Sequence, residues 1–377
     1  NKNCSSSQFY LGLIYFKGLE VPQDIRKSIF YLTLSANKGN AMAQSLLGGI
    51  YCDGIYVPRD INKAIAYLTP SANNSKVSNI FGSLYYELND INKSLHYFTL
   101  SAKQMNSDAQ KKLGLIYYQA IYVPRDIYKS IYYFKLSADQ NNAESQAYLG
   151  MIYIEGKYIA QDVTKAIYYL SLSANQNCPI SLLSLGEMYY FGTYVERDMA
   201  KAIYYLELAA KYNEESAYDI LGEIYYIGIS VKKDINKAIY YYTLGANKNS
   251  SSSQCKLGIL YSYDDLKIRD IKKAIFYLSL SAKQYNSMAN HYLGCIYYEG
   301  LGVKQDVEKA IHYFKEASSF NSFLSKNNLG VIYKTGNYVK QNIGGAIEYF
   351  KEAIRENDDG VARYNLANLY LYDENDI

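Results

Sequence analysis

The chain contains 377 residues, 49% of them hydrophobic, and its 39 basic and 36 acidic residues leave a formal net charge of +3. This near balance argues against nucleic acid as a partner, because phosphate binding requires a concentrated basic face. No uninterrupted apolar stretch approaches the roughly 18 residues of a membrane-spanning helix, so no direct membrane span is expected.

The five cysteines are odd in number, scattered along the chain and never arranged as Cys-x-x-Cys. No pair of them recurs with the repeat described below. Because isolated thiols of this kind are typical of a reducing compartment, we expect reduced, mostly buried side chains and a cytoplasmic location.

A short pattern recurs ten times: Leu-Gly-x-x-Tyr, with Phe81 in place of Leu in the third copy. Seven of the nine intervals between its glycines are 36 residues, and the other two are 34 and 32. A fixed period of this length predicts a solenoid of stacked helix pairs. We therefore predict a single all-α array over residues 1–377, with about ten units and a partial eleventh. The glycines, which are position 0 of each unit below, are Gly12, Gly48, Gly82, Gly114, Gly150, Gly186, Gly222, Gly258, Gly294 and Gly330.

The first predicted helix of each unit carries this glycine in its middle, where glycine costs about 1 kcal/mol relative to alanine. Ten repetitions of that cost predict that another helix crosses too closely for a Cβ atom. A second glycine, at position +6, predicts a left-handed cap that ends the helix. Ala120 and Asp264 replace it in two units, and the third unit loses four residues from this turn.

The second predicted helix follows an Asp, or Asn342 in the tenth unit, and this residue type in front of a helical run is typical of an N-cap. A Lys three residues later predicts a charge-balanced spine in preference to a ladder for polyanions. An unbroken column of tyrosines, including Tyr169, is expected in the core, with each hydroxyl reaching a partner or the rim.

Both chain ends align with the interior of other units. Residues 1–8 match residues 247–254, which directly follow a predicted helix, and residues 375–377 match residues 89–91, which open one. We therefore expect the sequence to be part of a longer array.

The repeated residues resemble the Sel-like repeat family, a relative of the tetratricopeptide repeats. The segment from Asn290 to Ala317 carries most of the family pattern, including Leu293, Gly294 and Tyr297. The departures are the shortened third unit, Ala120 and Asp264 at the turn, and glycines 344 and 345 at a helix start. The resemblance implies a right-handed superhelix of antiparallel helix pairs, used as an adaptor that assembles protein complexes.

Enzyme chemistry finds little support in the sequence. His96 and His312 share a variable repeat position and are expected at the surface, and no metalloprotease, P-loop or serine-hydrolase motif is present. We therefore expect no catalysis, no cofactor and no metal site.

Binding residues are expected where first helices differ between units while their neighbours do not, at positions −3, +1, +4 and +5. Because first helices line the concave groove of such arrays, these columns predict an aromatic, mildly acidic groove for a peptide with basic residues. The candidate residues are Asp53, Glu87, Tyr118, Glu155, Glu187, Tyr190, Glu223, Tyr226, Tyr298 and Glu299.

The leading hypothesis is a non-catalytic scaffold that binds other proteins or peptides. One alternative is a regulatory or targeting segment of a larger enzyme, such as a protein kinase whose catalytic domain lies outside these residues. The other is a microbial protein that contacts a host.

Overall fold

The computed structural model describes residues 4–228, 230–263, 268–357 and 359–372. Within these ranges all regular structure is helical, with 21 α-helices and one short 3₁₀ helix, Thr69–Ser71. No helix in the described ranges combines the length and apolar character needed to cross a membrane.

The chain divides into two compact units, residues 1–181 and residues 182–377. The first unit contains the helices α1 Ser5–Lys17, α2 Ile25–Ala36, α3 Ala41–Asp53, α4 Ile61–Leu68, α5 Ser75–Glu87, α6 Ile91–Lys103, α7 Ser107–Gln119, α8 Ile127–Ala138, α9 Ala143–Glu155 and α10 Val163–Ala174. Odd-numbered helices carry the glycine pattern, and each packs against the even-numbered helix that follows it as an antiparallel pair.

The second unit continues the same alternation, with its boundary inside α11. Its helices are α11 Pro179–Phe191, α12 Met199–Lys211, α13 Glu215–Ile227, α14 Ile235–Asn247, α15 Ser251–Ser262, α16 Ile271–Ala282, α17 Ser287–Glu299, α18 Val307–Ser319, α19 Phe323–Thr335, α20 Ile343–Asn357 and α21 Gly360–Tyr372. Both units therefore have the predicted all-α fold of stacked helix pairs.

The inside of each pair is built around the mid-helix glycine. A Cβ atom added to Gly150 would lie 2.6 Å from Cγ of Leu170, and one added to Gly114 would lie 2.7 Å from Cδ1 of Phe134. Real Cβ atoms essentially never come closer than 3.0 Å, so the predicted close crossing is confirmed. The side chains that face the ten glycines are buried: Leu32, Leu68, Phe98, Phe134, Leu170, Leu206, Tyr242, Leu278, Phe314 and Phe350.

The tyrosine column of the second helices packs against this core at its rim, as at Tyr169. Tyr169 is half-buried, whereas the next residue, Leu170, is fully buried. The ring of Tyr169 stacks on that of Tyr153 from the first helix, with centroids 6.0 Å apart and planes 4° apart. The column therefore forms a layer of stacked aromatic pairs at the edge of each helix pair.

The predicted charge-balanced spine is confirmed along the same edge. Nζ of Lys165 lies 2.8 Å from Oδ2 of Asp162 and 5.4 Å from the centroid of the Tyr153 ring. The Lys column is thus engaged by carboxylates and aromatic faces of its own repeat, which leaves little positive charge for an external polyanion.

The predicted helix caps are also confirmed. Asp162 accepts a hydrogen bond from the backbone N–H of Lys165 at 2.9 Å, and Asn342 does the same for Gly345 at 2.9 Å. Hydrogen bonds from the side chain and backbone of Lys165 hold the pKa of Asp162 below its usual range.

The helix-ending glycines adopt the left-handed conformation expected of them, as at Gly156 with φ 60°. Ala120 adopts the same conformation, with φ 57°, although it carries a Cβ atom. In the shortened turn after α5 the left-handed residue comes one position later, since Leu88 has φ −74° and Asn89 has φ 59°. The expected departure at Asp264 lies outside the described residues.

Candidate functional site

The first helices of successive pairs adjoin each other within each unit, as α5 does with α7 and α13 with α15. We call the surface that they expose, away from their paired second helices, the first-helix face. The predicted binding residues all lie on first helices. Four of them are exposed: Asp53, Glu87, Glu155 and Glu299. The other six are half-buried: Tyr118, Glu187, Tyr190, Glu223, Tyr226 and Tyr298.

The structure brings some of these residues together one repeat apart. The hydroxyl of Tyr118 donates a hydrogen bond to Oε2 of Glu155 at 3.3 Å. Tyr190 hydrogen-bonds Glu223, and burial together with this carboxylate raises the pKa of Tyr190. Adjacent repeats therefore combine a phenol from one first helix with a carboxylate from the next.

Cations neutralise part of the predicted acidic character. Glu87 forms an ion pair with Arg59 at 2.8 Å, and Glu223 forms one with Lys256 at 2.7 Å. Glu187 has no ion-pair partner among the residues that the structure describes, and burial raises its pKa. The negative charge of the predicted residues is thus partly balanced within the face itself.

Among the residues that the structure describes, a cavity at matching repeat positions opens on the first-helix face of each unit. The larger has a volume of about 260 Å³ and the smaller about 210 Å³, room for several water molecules at ~30 Å³ each. Both occupy the same repeat positions, between two successive first helices and above the buried residue of the preceding pair. The larger is lined by Glu223, Tyr226, Ile227, Tyr242, Lys256 and Tyr263, and the smaller by Ser83, Tyr86, Glu87, Phe98, Lys112 and Gln119.

A lysine at position −2 stands at each cavity. Nζ of Lys112 lies 5.8 Å from the ring centroid of Phe98, and Nζ of Lys256 lies 5.5 Å from that of Tyr242. Position −3, which the sequence favoured, lines neither cavity, and two of its members, Ala147 and Cys255, are buried. The sequence did not predict position −2 as a binding position. The available signal was its variation between units, with lysine in only two of ten.

In the repeat that follows Lys112, the residue at position −2 fills the equivalent place on this face. In α9 this residue is Tyr148, whose ring stacks on buried Phe134 at a centroid distance of 5.2 Å and an interplanar angle of 8°. Tyr148 therefore occupies the space above Phe134 that remains open above Phe98 beside Lys112.

The Sel1 repeat profile matches ten segments that together span most of the chain: residues 5–40, 41–76, 81–104, 107–142, 143–178, 179–211, 216–250, 251–286, 287–319 and 324–358. The chain belongs to the Sel1 repeat family.

Two solved structures support this membership of the Sel1 repeat family. A protective antigen of uropathogenic Escherichia coli strains, with a Sel1-like repeat fold, is 26% identical, with 98% of this chain and 80% of that chain covered and a TM-score of 0.81. A Sel1 repeat protein from Oxalobacter formigenes is 25% identical, with coverage of 87% and 86% and a TM-score of 0.55. A search among curated proteins finds no match.

Burial holds two neighbouring side chains of this Sel1 repeat protein, His291 and Cys295, in unreactive states. His291 lies 2.9 Å from Oγ of Ser325 and 3.6 Å from Sγ of Cys295. Burial lowers the pKa of His291 to about 4 and raises the pKa of Cys295 to about 12. A nucleophilic cysteine requires the opposite shift, towards the thiolate. His96 and His312 are exposed, as predicted.

The remaining thiols and potential metal ligands of this Sel1 repeat protein are dispersed. Cys178 and Cys255 are buried, Cys4 is exposed, and all five cysteines are unpaired. Across the described ranges, no group of three or more His, Cys, Asp or Glu side chains is placed to hold a metal ion.

Proposed function

We propose that this Sel1 repeat protein is a non-catalytic scaffold that binds a segment of a partner protein along its first-helix face. The observation that carries this proposal is the pair of cavities at matching repeat positions. Each combines aromatic and aliphatic walls with charged groups at the opening, the composition from which protein interfaces build their anchor pockets.

The predicted binding residues have distinct roles in this proposal. Tyr118, Tyr190, Tyr226 and Tyr298 act as half-buried anchors, because a tyrosine ring supplies a large contact area at a low cost in side-chain entropy. Glu187, whose half-buried carboxylate has no cation beside it among the described residues, receives a basic side chain of the partner. Asp53, Glu155 and Glu299 contribute weaker, exposed attraction.

We further propose that residues 1–377 form one repeat array. The spacing between Gly150 and Gly186, which lie on either side of the boundary between the two compact units, is the same 36 residues found elsewhere. Because the spacing is unchanged across this boundary, the proposed binding positions recur at the same place in the repeats of both units.

A host-contacting role is the second candidate. It is favoured by the 26% identity to a protective antigen of uropathogenic Escherichia coli strains. Labelling of intact cells of the source organism with an impermeant reagent, followed by recovery of this protein, tests it. An unlabelled protein would rule this role out.

The scaffold is tested by affinity capture with purified protein and two matched variants of five substitutions each. The first changes the first-helix face at Glu155, Glu187, Glu223, Tyr190 and Tyr226. The control changes aromatic residues of the second helices that are 57% to 60% exposed: Tyr132, Tyr168, Tyr204, Tyr240 and Phe276.

We expect the first-helix variant to lose specific partners, as quantified by mass spectrometry, and the control to retain them. Circular dichroism at 222 nm verifies that both variants are folded. If both variants capture the same proteins as the unmodified chain, the first-helix face is not the binding surface.

A further inference from the structure

The two cavities differ in one decisive pair of residues. In the larger cavity the carboxylate of Glu223, at position +1, pairs with Lys256, at position −2 of the next repeat, at 2.7 Å. In the smaller cavity position +1 is Ser83, whose hydroxyl donates a hydrogen bond to the backbone of its own helix, at the carbonyl of Asn79. The smaller cavity therefore has the lysine without its carboxylate.

Among the described residues, no other acidic side chain takes the place of the missing carboxylate. Glu87 lines the same cavity, but its Oε2 lies 2.8 Å from Nη2 of Arg59. Lys112 forms no ion pair with any residue that the structure describes, and its ammonium group lies over the ring of Phe98. Because Glu87 is balanced by Arg59, the cavity has a net positive charge at Lys112.

The chain itself provides a template for what fits above the buried ring. In the next repeat, Tyr148 lies on Phe134 in a parallel stack at 5.2 Å and contacts Tyr118 at a ring distance of 6.3 Å. The smaller cavity has an equivalent floor, Phe98, and an equivalent wall, Tyr86. It has no third ring in the place that corresponds to Tyr148. An aromatic side chain from outside can therefore take the position that Tyr148 takes internally.

We propose that the cavity at Lys112 receives an aromatic side chain of a partner segment, while an adjacent Asp or Glu of that segment pairs with Lys112. This inference rests on the proposed function and specifies one part of the partner. The ring stacks on Phe98, and the carboxylate takes the place that Glu223 has in the larger cavity. The segment is thus acidic and aromatic at this point, in contrast to the basic group expected at Glu187.

The first test measures the binding of fluorescein-labelled hexapeptides to the full chain by fluorescence anisotropy. The probe is Gly-Ser-Phe-Glu-Ser-Gly, and its matched controls replace Glu by Gln, Glu by Lys, or Phe by Ala. We expect each control to bind about tenfold more weakly, since a charged hydrogen bond or an aromatic contact is worth about that factor. Equal binding of the Glu and Lys peptides would overturn the proposal.

The second test moves the site within the protein. Lys112→Gln removes the cation, and Ser83→Glu supplies an internal carboxylate. We expect each substitution to weaken binding of the Phe-Glu peptide about tenfold. Lys111→Gln is the matched control, because Lys111 already pairs with Glu144 at 3.0 Å and should leave binding unchanged. Glu223→Ser frees Lys256, and we expect it to add a second binding site for the same peptide.

The outcomes separate this proposal from the scaffold function. If the peptide does not bind but the first-helix variant still loses partners in affinity capture, the Lys112 proposal is wrong and the scaffold stands. If the peptide binds and responds to Lys112→Gln while capture is unaffected by the first-helix variant, the Lys112 site stands and the wider face does not. Peptide binding that survives both Lys112→Gln and Ser83→Glu places the peptide elsewhere and refutes the site.

Discussion

The two sides of each first helix differ sharply in sequence. Towards the paired helix, Gly150 meets Leu170 and its equivalents recur in every pair, whereas on the first-helix face neighbouring repeats carry residues as different as Lys112 and Tyr148. The inner side has to solve the same packing problem each time, at interatomic distances that permit few solutions. The outer side is free of that constraint, so its variation is available for recognition.

The largest expected loss of stability comes from removing the Tyr148 ring, which fills the space above Phe134 on the outer side. Tyr148→Ala removes the ring stacked on Phe134, and we expect a loss of about 3 kcal/mol, the lower end of the range for large aromatic truncations because Tyr148 is half-buried. Urea unfolding followed by circular dichroism measures it. A loss below 1 kcal/mol would mean that the ring contributes little to packing.

Two adjacent glycines on α3 test the comparison directly. A Cβ atom on Gly48 would overlap Cγ of Leu68, whereas one on Gly49 meets nothing within 4 Å. We expect Gly48→Ala to destabilise the protein by about 2 kcal/mol through overpacking. Gly49→Ala should stabilise it by about 1 kcal/mol through helix propensity. Changes of the same sign, measured by thermal unfolding, would contradict the contrast between the two sides.

Filling the smaller cavity should have the opposite effect to emptying the place of Tyr148. Lys112→Tyr places a ring above Phe98, and we expect a gain of about 1 kcal/mol from the aromatic pair. The same variant should abolish binding of the Phe-Glu peptide. Greater stability with unchanged peptide binding would show that the peptide does not use this cavity.

Acid should weaken the N-caps of the second helices. The pKa of Asp162 is lowered in the folded state by its hydrogen bonds with Lys165, so its contribution is present above the unfolded pKa of about 4 and is lost as pH falls through the folded value. Asp162→Asn keeps a capping oxygen without this titration. We expect the melting temperatures of the two proteins to converge between pH 5 and about pH 2; a constant difference would contradict the assignment.

The smallest change in stability is expected from substitutions at position +1 on the outer side. Burial raises the pKa of Glu187, so its ionisation opposes folding as pH rises through the raised value. Glu187→Gln should therefore raise the melting temperature at pH 7 and not at pH 4. Glu223→Gln, which breaks the ion pair with Lys256, should lower it at pH 7, so a shift of the same sign in both variants would refute the distinction.

The sequence predicted the inner side well because each of its features is set by local geometry. Gly156 and Asp162 are read from the backbone conformation and the free N–H groups that any helix end must satisfy. The sequence singled out the tyrosine column at Tyr169 and not the adjoining Leu170, which is fully buried, because neighbouring positions at the edge of a helical stripe differ by about 100° of rotation. Only the packed structure separates them.

The outer side was harder to predict, because a cavity belongs to no single segment. Tyr86, Phe98 and Lys112 come from three successive helices, α5, α6 and α7. Considered alone, Lys112 is an ordinary surface lysine. Its significance arises from the absence of a ring at the place that Tyr148 fills in the next repeat.

The contrast between Lys112 and Tyr148 at position −2 has an evolutionary consequence. A substitution there can open or close a pocket while the glycine and the buried side chain below it stay in place. Binding preference can therefore diverge by point mutation without passing through unfolded intermediates. Duplication of one 36-residue unit would likewise add a further surface position, and later substitutions there can change its binding without altering the existing ones.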